Sequence, residues 1–140
     1  MLERVARLAK QRGATVILAE AHDPRVIDAV PHIERRGLAH LILLGDEKRI
    51  RALLARRKLR VKAHILSFER YAQAERLAKE LVLLRRHKGM VLEEARSLLR
   101  SDTKYFAAML VRSGVAQGYV AGNLCATAET VRPALQLLGC

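Results

Sequence analysis

A short stretch late in the chain combines a glycine, two threonines and an arginine, which are residue types that bind anions. Gly122 permits a tight turn and lets the backbone approach a ligand closely, because it has no Cβ. Thr127 and Thr130 can each cap a helix. A proline fits best in the first turn of a helix, so the position of Pro133 favours Thr130 as the N-cap. A cap at Thr127 would place Pro133 deeper in the helix and imply a kink there. Backbone amides, hydroxyls and Arg132 at one helix N-terminus suit a phosphate or carboxylate. A capped helix with a solvated arginine explains the same residues equally well.

Other patterns that would carry chemistry are missing from the sequence. There is no GxGxxG and no P-loop, so a dinucleotide or NTPase site has no support. The histidines never pair at metal-ligand spacing, and no serine, histidine and acid triad can be assembled. Cys125 and Cys140 are not spaced as metal ligands, and two thiols without a signal segment indicate the reducing cytoplasm. We therefore expect no metal and no resident cofactor.

Composition indicates a globular chain with a strong positive charge. The 140 residues suit one domain, 51% of them are hydrophobic and 29% are charged. No apolar run is long enough to cross a membrane. The net charge of +12 is concentrated in residues 48–62, which contain no acid. Because the chain lacks tryptophan and its aromatic residues are scattered, a solvated helix face is favoured over a nucleic-acid groove.

The elements that must position these residues alternate between strand and helix. Strands are predicted at residues 15–18, 40–44, 63–66 and 118–121, and helices at residues 2–10, 24–36, 47–57, 71–87, 91–100 and 103–112. Uniformly apolar strands are typical of a parallel sheet covered on both faces. We predict one α/β domain over residues 1–140, built as a three-layer α/β/α arrangement of a mostly parallel sheet with helical crossovers.

In such sheets ligands gather beyond the carboxyl ends of the strands. Glu20 follows the first predicted strand, Asp46 follows the second, and residues 122–130 follow the last. These three places are therefore the expected surroundings of any site.

Five segments resemble, in order, motifs of the phosphate acetyltransferase (phosphotransacetylase) family. They are residues 18–26 (LAEAHDPRV), 43–46 (LLGD), 81–90 (LVLLRRHKGM, similar to LxxLRxxKG), 102–106 (D-x-x-Y-F) and 122–136. The last segment is GNLCATAETVRPALQ, against a family pattern close to GAxH[ST]TADTVRPALQ. The likeness spans the whole chain and implies an isocitrate/isopropylmalate-dehydrogenase-like fold, of which only part is present.

The resemblance implies an acyltransferase that moves an acetyl group reversibly between acetyl phosphate and coenzyme A, in a ternary complex without an acyl-enzyme. By that likeness Arg85 and Arg132 contact the anionic parts of the substrates, and Thr127 and Thr130 bond phosphate oxygens. Arginine suits this role because its charge is permanent and its guanidinium can grip phosphate through two bonds. The alternative for Arg85 is a cation that favours the dipole at a helix end.

The sequence departs from the family pattern at several positions. Ala19 and Ala21 stand where the family commonly has proline and glycine. Cys125 and Ala126 replace a histidine and a hydroxyl residue, and Glu129 replaces aspartate. The changes at Cys125 and Ala126 remove two hydrogen-bond donors beside the expected phosphate site, which leaves both substrate choice and activity open.

Family members are more than twice as long, so the resemblance covers their N-terminal subdomain and their C-terminal half is absent. A truncated gene product, a fragment and a subunit completed by another chain all account for this length. The resemblance places catalytic groups in the absent half, so we expect no turnover by the chain alone. The alternative is a non-catalytic coenzyme A- or phosphate-binding or regulatory module, and a basic nucleic-acid binder is the third interpretation. We also expect a homo-oligomer or completion by a C-terminal half.

Overall fold

Parallel strands form the centre of the computed structural model, which describes residues 1–124 and 126–139. The strands are β1 (Thr15–Leu18), β2 (His40–Leu44), β3 (His64–Leu66) and β4 (Gly118–Val120). They lie in the order β3-β2-β1-β4, and every pair of neighbours is parallel. The chain therefore adds strands in one direction from β1 and then returns to add β4 on its other side.

Burial follows the position of each strand in the sheet. The end of β1 and most of β2 are buried, as predicted, because each of these strands has a neighbour on both sides. The prediction that β4 is buried is wrong: this strand is half-buried to exposed. It lies at the edge of the described sheet, where β1 is its only hydrogen-bonded neighbour. A uniformly apolar sequence does not distinguish a central strand from an edge strand.

Helices connect the strands and follow the sequence prediction closely. They are α1 (Leu2–Arg12), α2 (Pro24–Arg35), α3 (Glu47–Arg56), α4 (Ala74–Leu84), α5 (Leu92–Ser101), α6 (Thr103–Arg112) and α7 (Thr127–Leu137), with a 3-10 turn at Arg86–Lys88. The single helix predicted over residues 71–87 is shorter than expected. A turn, in which the amide of Ala74 donates to the carbonyl of Tyr71, precedes α4, and the backbone leaves the helical region at Arg85.

Two apolar layers cover the sheet, which confirms the predicted three-layer arrangement. Successive strand residues point to opposite faces, so Ile17 packs with α4, α5, α6 and α7, whereas Leu18 packs with α2 and α3. Because α2 and α3 lie on one face and the later helices on the other, β1 and β4 flank the point where the order of strands reverses. Ligand sites of open parallel sheets lie beyond the carboxyl ends of the strands at such a point.

Aspartates begin the helices that follow β1, β2 and α5. Asp23 accepts a bond from the amide of Arg25 at 2.9 Å, with Pro24 at the first helical position as predicted. Asp46 begins α3 by accepting from the amide of Arg49 at 3.1 Å. Such carboxylates pair with otherwise unsatisfied helical N–H groups and interact favourably with the helix dipole.

The basic stretch at residues 48–62 runs along α3 and the segment that follows it. Its cationic side chains are exposed, as expected of a solvated face. Part of its charge is balanced locally, since Arg51 pairs with Glu47 at 2.9 Å and Arg57 pairs with Asp28 on α2. In the described part of the chain, no helix has both the length and the apolar character needed to cross a membrane.

Candidate functional site

The turn after β4 (residues 122–124) is held by a carboxylate from the end of β1. Glu20 is 3% exposed, and its two oxygens accept bonds from successive backbone amides. The amide of Gly122 donates to Oε1 at 2.7 Å, and those of Asn123 and Leu124 donate to Oε2 at 2.9 and 3.0 Å. The sheet brings these groups together, because β1 and β4 are parallel neighbours whose carboxyl ends meet. Gly122 has a φ of 115°, a conformation that favours glycine.

Arg25 forms a second contact between the start of α2 and this turn. Its Nη2 donates to the carbonyl of Asn123 at 3.1 Å and to Asp23 at 2.8 Å. Hydrogen bonding to the Arg25 guanidinium holds the pKa of the Asp23 carboxyl below its usual value. The LAEAHDPRV motif therefore supplies both groups that hold the turn. Within it, Ala19 and Ala21 are fully buried in opposite core layers.

The helix after the turn starts earlier than predicted. Ala126 is the N-cap of α7 and offers no side-chain bond, and Thr127 is the first helical residue. Thr130 lies inside the helix, where its hydroxyl donates to the carbonyl of Ala126 at 3.2 Å, so the preference for Thr130 as cap is wrong. Pro133 is consequently a buried interior residue. The turn held by Glu20 ends at Leu124, which leaves the chain positioned to enter α7 before Thr130.

The phenol of Tyr105 on α6 lies within electrostatic range of two arginines, and we call Arg85, Tyr105, Arg132 and Gln136 the Tyr105 cluster. The Tyr105 hydroxyl donates to Oε1 of Gln136 on α7 at 2.9 Å. Arg85 follows the last residue of α4, and Arg132 is exposed on α7. Both guanidinium charges act on the phenol electrostatically. The two arginines that the family resemblance singled out therefore both act on one phenol.

The pKa of Tyr105 reflects this environment. Burial raises the pKa of the phenol above its usual value, and the Asp102 carboxylate adds to the rise. The positive charges of Arg132 and Arg85 oppose the shift without cancelling it. The hydroxyl therefore remains protonated at neutral pH and acts as a hydrogen-bond donor.

The cluster carries positive charge that the described residues do not balance. Within residues 1–124 and 126–139, no carboxylate lies within ion-pair distance of Arg85 or Arg132. By contrast, Arg96 on α5 pairs with Glu75 and with Glu93. An arginine pair without acidic partners is suited to binding a phosphate or another anion.

A cleft of about 350 Å³ lies beside the turn, between the end of β1 and the start of α6. Glu20, Asp102, Lys104 and Leu124 are among the residues that line it. Lys104 is 8% exposed and pairs with Asp102 at 3.1 Å. A larger open cleft of about 1000 Å³ shares the lining residues His22, Ser101 and Thr103. Across the ranges that the structure describes, no group of histidines, cysteines and acids is arranged to hold a metal ion.

The sequence-predicted site residues divide into two groups. Arg85 and Arg132 lie within electrostatic range of Tyr105, a residue of the D-x-x-Y-F motif. The amide of Gly122 is occupied by Glu20, and Thr127 is exposed at the start of α7, so these residues lie along the approach to the helix. The substitution at Cys125 lies outside the described residues.

Lys104 and Gln136 were not predicted as parts of the site. Glu20 was expected in its surroundings because it follows a buried strand, but its bonds to the turn were not predicted. For Gln136 and Lys104 local spacing gives no signal, because their contacts depend on how α6 and α7 pack.

Comparison with known proteins gives one consistent result. The model of the family described as phosphate acetyl/butaryl transferase matches residues 1–140. The phosphate acetyltransferase of Clostridium acetobutylicum is 35% identical over 139 residues, and that of Acetivibrio thermocellus is 39% identical over 140. These alignments cover 99% and 98% of this chain but 41% of each relative. The crystal structure of a phosphotransacetylase from Streptococcus pyogenes superposes with a TM-score of 0.89 at 32% identity, covering 97% of this chain and 41% of that one.

Proposed function

The chain belongs to the phosphate acetyl/butaryl transferase family, and we propose that it supplies the anion-binding part of an enzyme that transfers acetyl groups between acetyl phosphate and coenzyme A. One observation carries this proposal. Arg85, at the end of α4, and Arg132, on α7, lie within electrostatic range of the same phenol and have no carboxylate partner in the described part of the chain. Charge left uncompensated by the fold is charge that a substrate phosphate can use.

The proposed chemistry follows from what the cluster can bind. In acetyl-CoA formation the coenzyme A thiolate attacks the acetyl carbonyl, the C–S bond forms, and the C–O bond to phosphate breaks. The leaving phosphate gains charge as that bond breaks, and a guanidinium beside it stabilises the developing charge. Arg85 and Arg132 are the residues that we assign to this task. Thr127 is assigned to a phosphate oxygen, and Thr130 joins it only if its hydroxyl gives up the bond that it donates to the Ala126 carbonyl. Gly122 has no Cβ and so allows close approach.

Turnover is proposed to need more polypeptide than these 140 residues. The chain spans about 41% of the length of the relatives that it matches. Anion binding alone stabilises substrate and transition state alike and does not speed the chemical step. Thiol activation, worth about 10²–10⁴-fold, and stabilisation of the acyl oxygen, worth about 10²–10³-fold per donor, are therefore assigned to the part of the family sequence not represented here. Coenzyme A is a substrate in this scheme, so no resident cofactor is invoked.

The surface around β4 and α7 is where we propose that such polypeptide docks. Val120 on β4 is 58% exposed, and Val131 and Leu135 on α7 are exposed by 41% and 55%. The outer edge of β4 has no strand beside it among the described residues. Exposed apolar side chains beside an open strand edge are typical of interfaces. Sedimentation should therefore reveal either a homo-oligomer or, with the remaining family sequence added, a complex. The cytoplasm is the compartment we propose, because its reducing poise keeps the coenzyme A thiol available.

A non-catalytic coenzyme A- or phosphate-binding module is the second candidate. Its support is Ala126, which has no hydroxyl that could donate to an anion at the N-terminus of α7. Weaker anion binding at that helix would suit a sensor that releases its ligand readily. This candidate predicts ligand binding without turnover even when the remaining family sequence is supplied.

The two candidates separate in one set of experiments. Coenzyme A and inorganic phosphate are titrated into the chain by calorimetry, and thioester absorbance is followed with acetyl phosphate present. We expect binding that Arg132→Ala weakens about tenfold, the equivalent of about 1.4 kcal/mol. Arg86, an exposed arginine next to Arg85 in the sequence, serves as the control, since Arg86→Ala should change binding little.

Turnover is expected only when the C-terminal part of a relative, such as the S. pyogenes protein, is added. Turnover by the 140-residue chain alone would overturn the assignment of catalytic groups. Equal binding by wild type and Arg132→Ala would remove the cluster from the site. Binding without turnover in the complemented sample would favour the non-catalytic module.

A further inference from the structure

We infer that the turn at residues 122–124 is a backbone anion-binding site whose resident anion is the side chain of Glu20. Glu20 is thereby a positioning residue for the turn that precedes α7. This role deepens the proposed function, on which it rests for the identity of the substrate, by separating the groups that hold the turn from those available to phosphate.

The geometry of the turn is that of an anion site. Three successive amides, from Gly122, Asn123 and Leu124, point to one carboxylate at 2.7–3.0 Å. Successive N–H groups that converge in this way create a local positive potential suited to an anion. The φ of 115° at Gly122 is part of this arrangement, because it turns the first amide of the series toward the same point.

Glu20 occupies that position as a fixed part of the fold. It is 3% exposed, and the preceding residue is tied to β4 by a bond from the Ala19 amide to the Val120 carbonyl at 3.0 Å. Arg25 reinforces the same turn from the other side through the carbonyl of Asn123. The carboxylate is therefore delivered by a strand end whose own position is set by the sheet.

Two consequences follow for the site. The amides of the turn are already bonded, so a substrate phosphate must be recognised by side chains such as Arg85 and Arg132 and by α7 beyond the turn. The turn also leads directly into α7, so the Glu20 contacts set where Thr127 and Arg132 lie. Loss of the carboxylate should release the turn and open a site of the right size for a small carboxylate.

Chemical rescue tests this inference. The variant Glu20→Ala of the full 140-residue chain is labelled with ¹⁵N and titrated with formate, which replaces the lost carboxylate. We expect the three turn amides to move away from their wild-type shifts in the variant. Formate should then return them toward those shifts in a saturable manner and raise the Tm of the variant. Wild type and a control variant at an exposed glutamate, Glu94→Ala, should show no response at these amides.

A folded Glu20→Ala whose turn amides ignore formate would overturn the inference, as would a wild type that responds equally. If Glu20→Ala does not fold, Glu20→Gln provides the second test, since it keeps one acceptor oxygen and places an NH₂ against the remaining donors. We expect the turn amides to shift in that variant, and unchanged amides would contradict the assignment. Titrating coenzyme A into wild type tests the proposed function separately. If coenzyme A did not bind, the response of Glu20→Ala to formate would still be expected.

Discussion

The two charged regions next to α7 differ in how their charges are balanced. The carboxylate of Glu20 is satisfied by the turn, and Arg25 is satisfied by Asp23 and the Asn123 carbonyl. In the Tyr105 cluster, Arg85 and Arg132 have no acidic partner within the described residues. Charges that are compensated inside the chain hold the backbone in place. Charges that are left uncompensated are available to a ligand, so the comparison separates structural residues from binding residues.

The largest expected effect comes from removing both uncompensated charges. Arg85→Ala combined with Arg132→Ala should weaken phosphate and coenzyme A binding about 100-fold or more, since hydrogen bonds to charged groups contribute about 1.5–3 kcal/mol each and every 1.4 kcal/mol is a factor of about ten. Stability should change by less than about 0.5 kcal/mol, as is usual for surface substitutions. Calorimetric titration and urea unfolding measure the two quantities.

An arginine that is paired with carboxylates should affect stability and not ligand binding. Arg96 bridges Glu75 on α4 and Glu93 on its own helix, so Arg96→Ala should lower the Tm and leave ligand binding unchanged. If Arg96→Ala weakened binding as much as the double variant, compensation within the chain would not distinguish the two kinds of residue.

The next effect is on stability and concerns the backbone of the turn at residues 122–124, which Glu20 holds. Gly122→Ala should destabilise the chain by about 1–2 kcal/mol, because an L-residue is strained at a φ of 115°. Space is not the cause, since the added Cβ would lie 3.5 Å from Thr130 Cγ2, an ordinary contact. Gly118→Ala is the matched control, with open space around its Cβ and no positive φ, and should be neutral or slightly stabilising. Equal free energies of unfolding for the two variants, measured in urea, would contradict strain at Gly122.

A smaller effect on stability is expected from the residue at the N-cap of α7. Ala126 has extended N-cap geometry, with a φ of −62° and a ψ of 153°, but no side-chain acceptor. Ala126→Ser should therefore stabilise the chain by about 1 kcal/mol by bonding an unsatisfied amide of the first turn. Ala128→Ser places the same hydroxyl inside the helix and should destabilise it by about 0.5 kcal/mol. A serine that stabilises at 128 but not at 126 would show that the helix begins elsewhere.

The sequence predicted the layers of this fold because they depend on local information. Apolar runs define β1 and β2, and Asp23 followed by Pro24 defines the start of α2. Arg85 and Arg132 were predicted through motifs that resemble the family, and both lie within electrostatic range of Tyr105.

The details of the turn could not be predicted in the same way. The contacts of Glu20 join residues more than 100 positions apart, and they exist only because β1 and β4 are neighbours in the sheet. Local cap chemistry favoured Thr130, but a cap preference of about 1 kcal/mol competes with the several hydrogen bonds that fix the preceding turn. The tertiary contacts set the start of α7, and the placement of Pro133 inside the helix follows from them.

The most subtle effect is the titration of Tyr105. Its pKa in the folded chain is raised by burial, so the folded state keeps the phenolic proton at pH values where the unfolded chain loses it. The stability linked to this group is fully present below the unfolded pKa and is lost as the pH rises through the folded pKa. Unfolding measured from neutral to strongly alkaline pH should show this loss in wild type, and Tyr105→Phe should remove the contribution.

The same titration measures how the two arginines act on the phenol. Both guanidinium charges favour the phenolate, with Arg132 the stronger of the two, so Arg132→Ala should raise the pKa of Tyr105 further and Arg85→Ala should raise it less. Labelling the tyrosine Cζ with ¹³C follows each phenol separately, and Tyr105→Phe identifies the resonance. Bound phosphate should raise the pKa of Tyr105 in wild type, because an anion between the arginines offsets their charge, and should have little effect once both arginines are removed. A Tyr105 pKa that is indifferent to Arg132→Ala would mean that the cluster does not act as one site, even if each arginine binds anions separately.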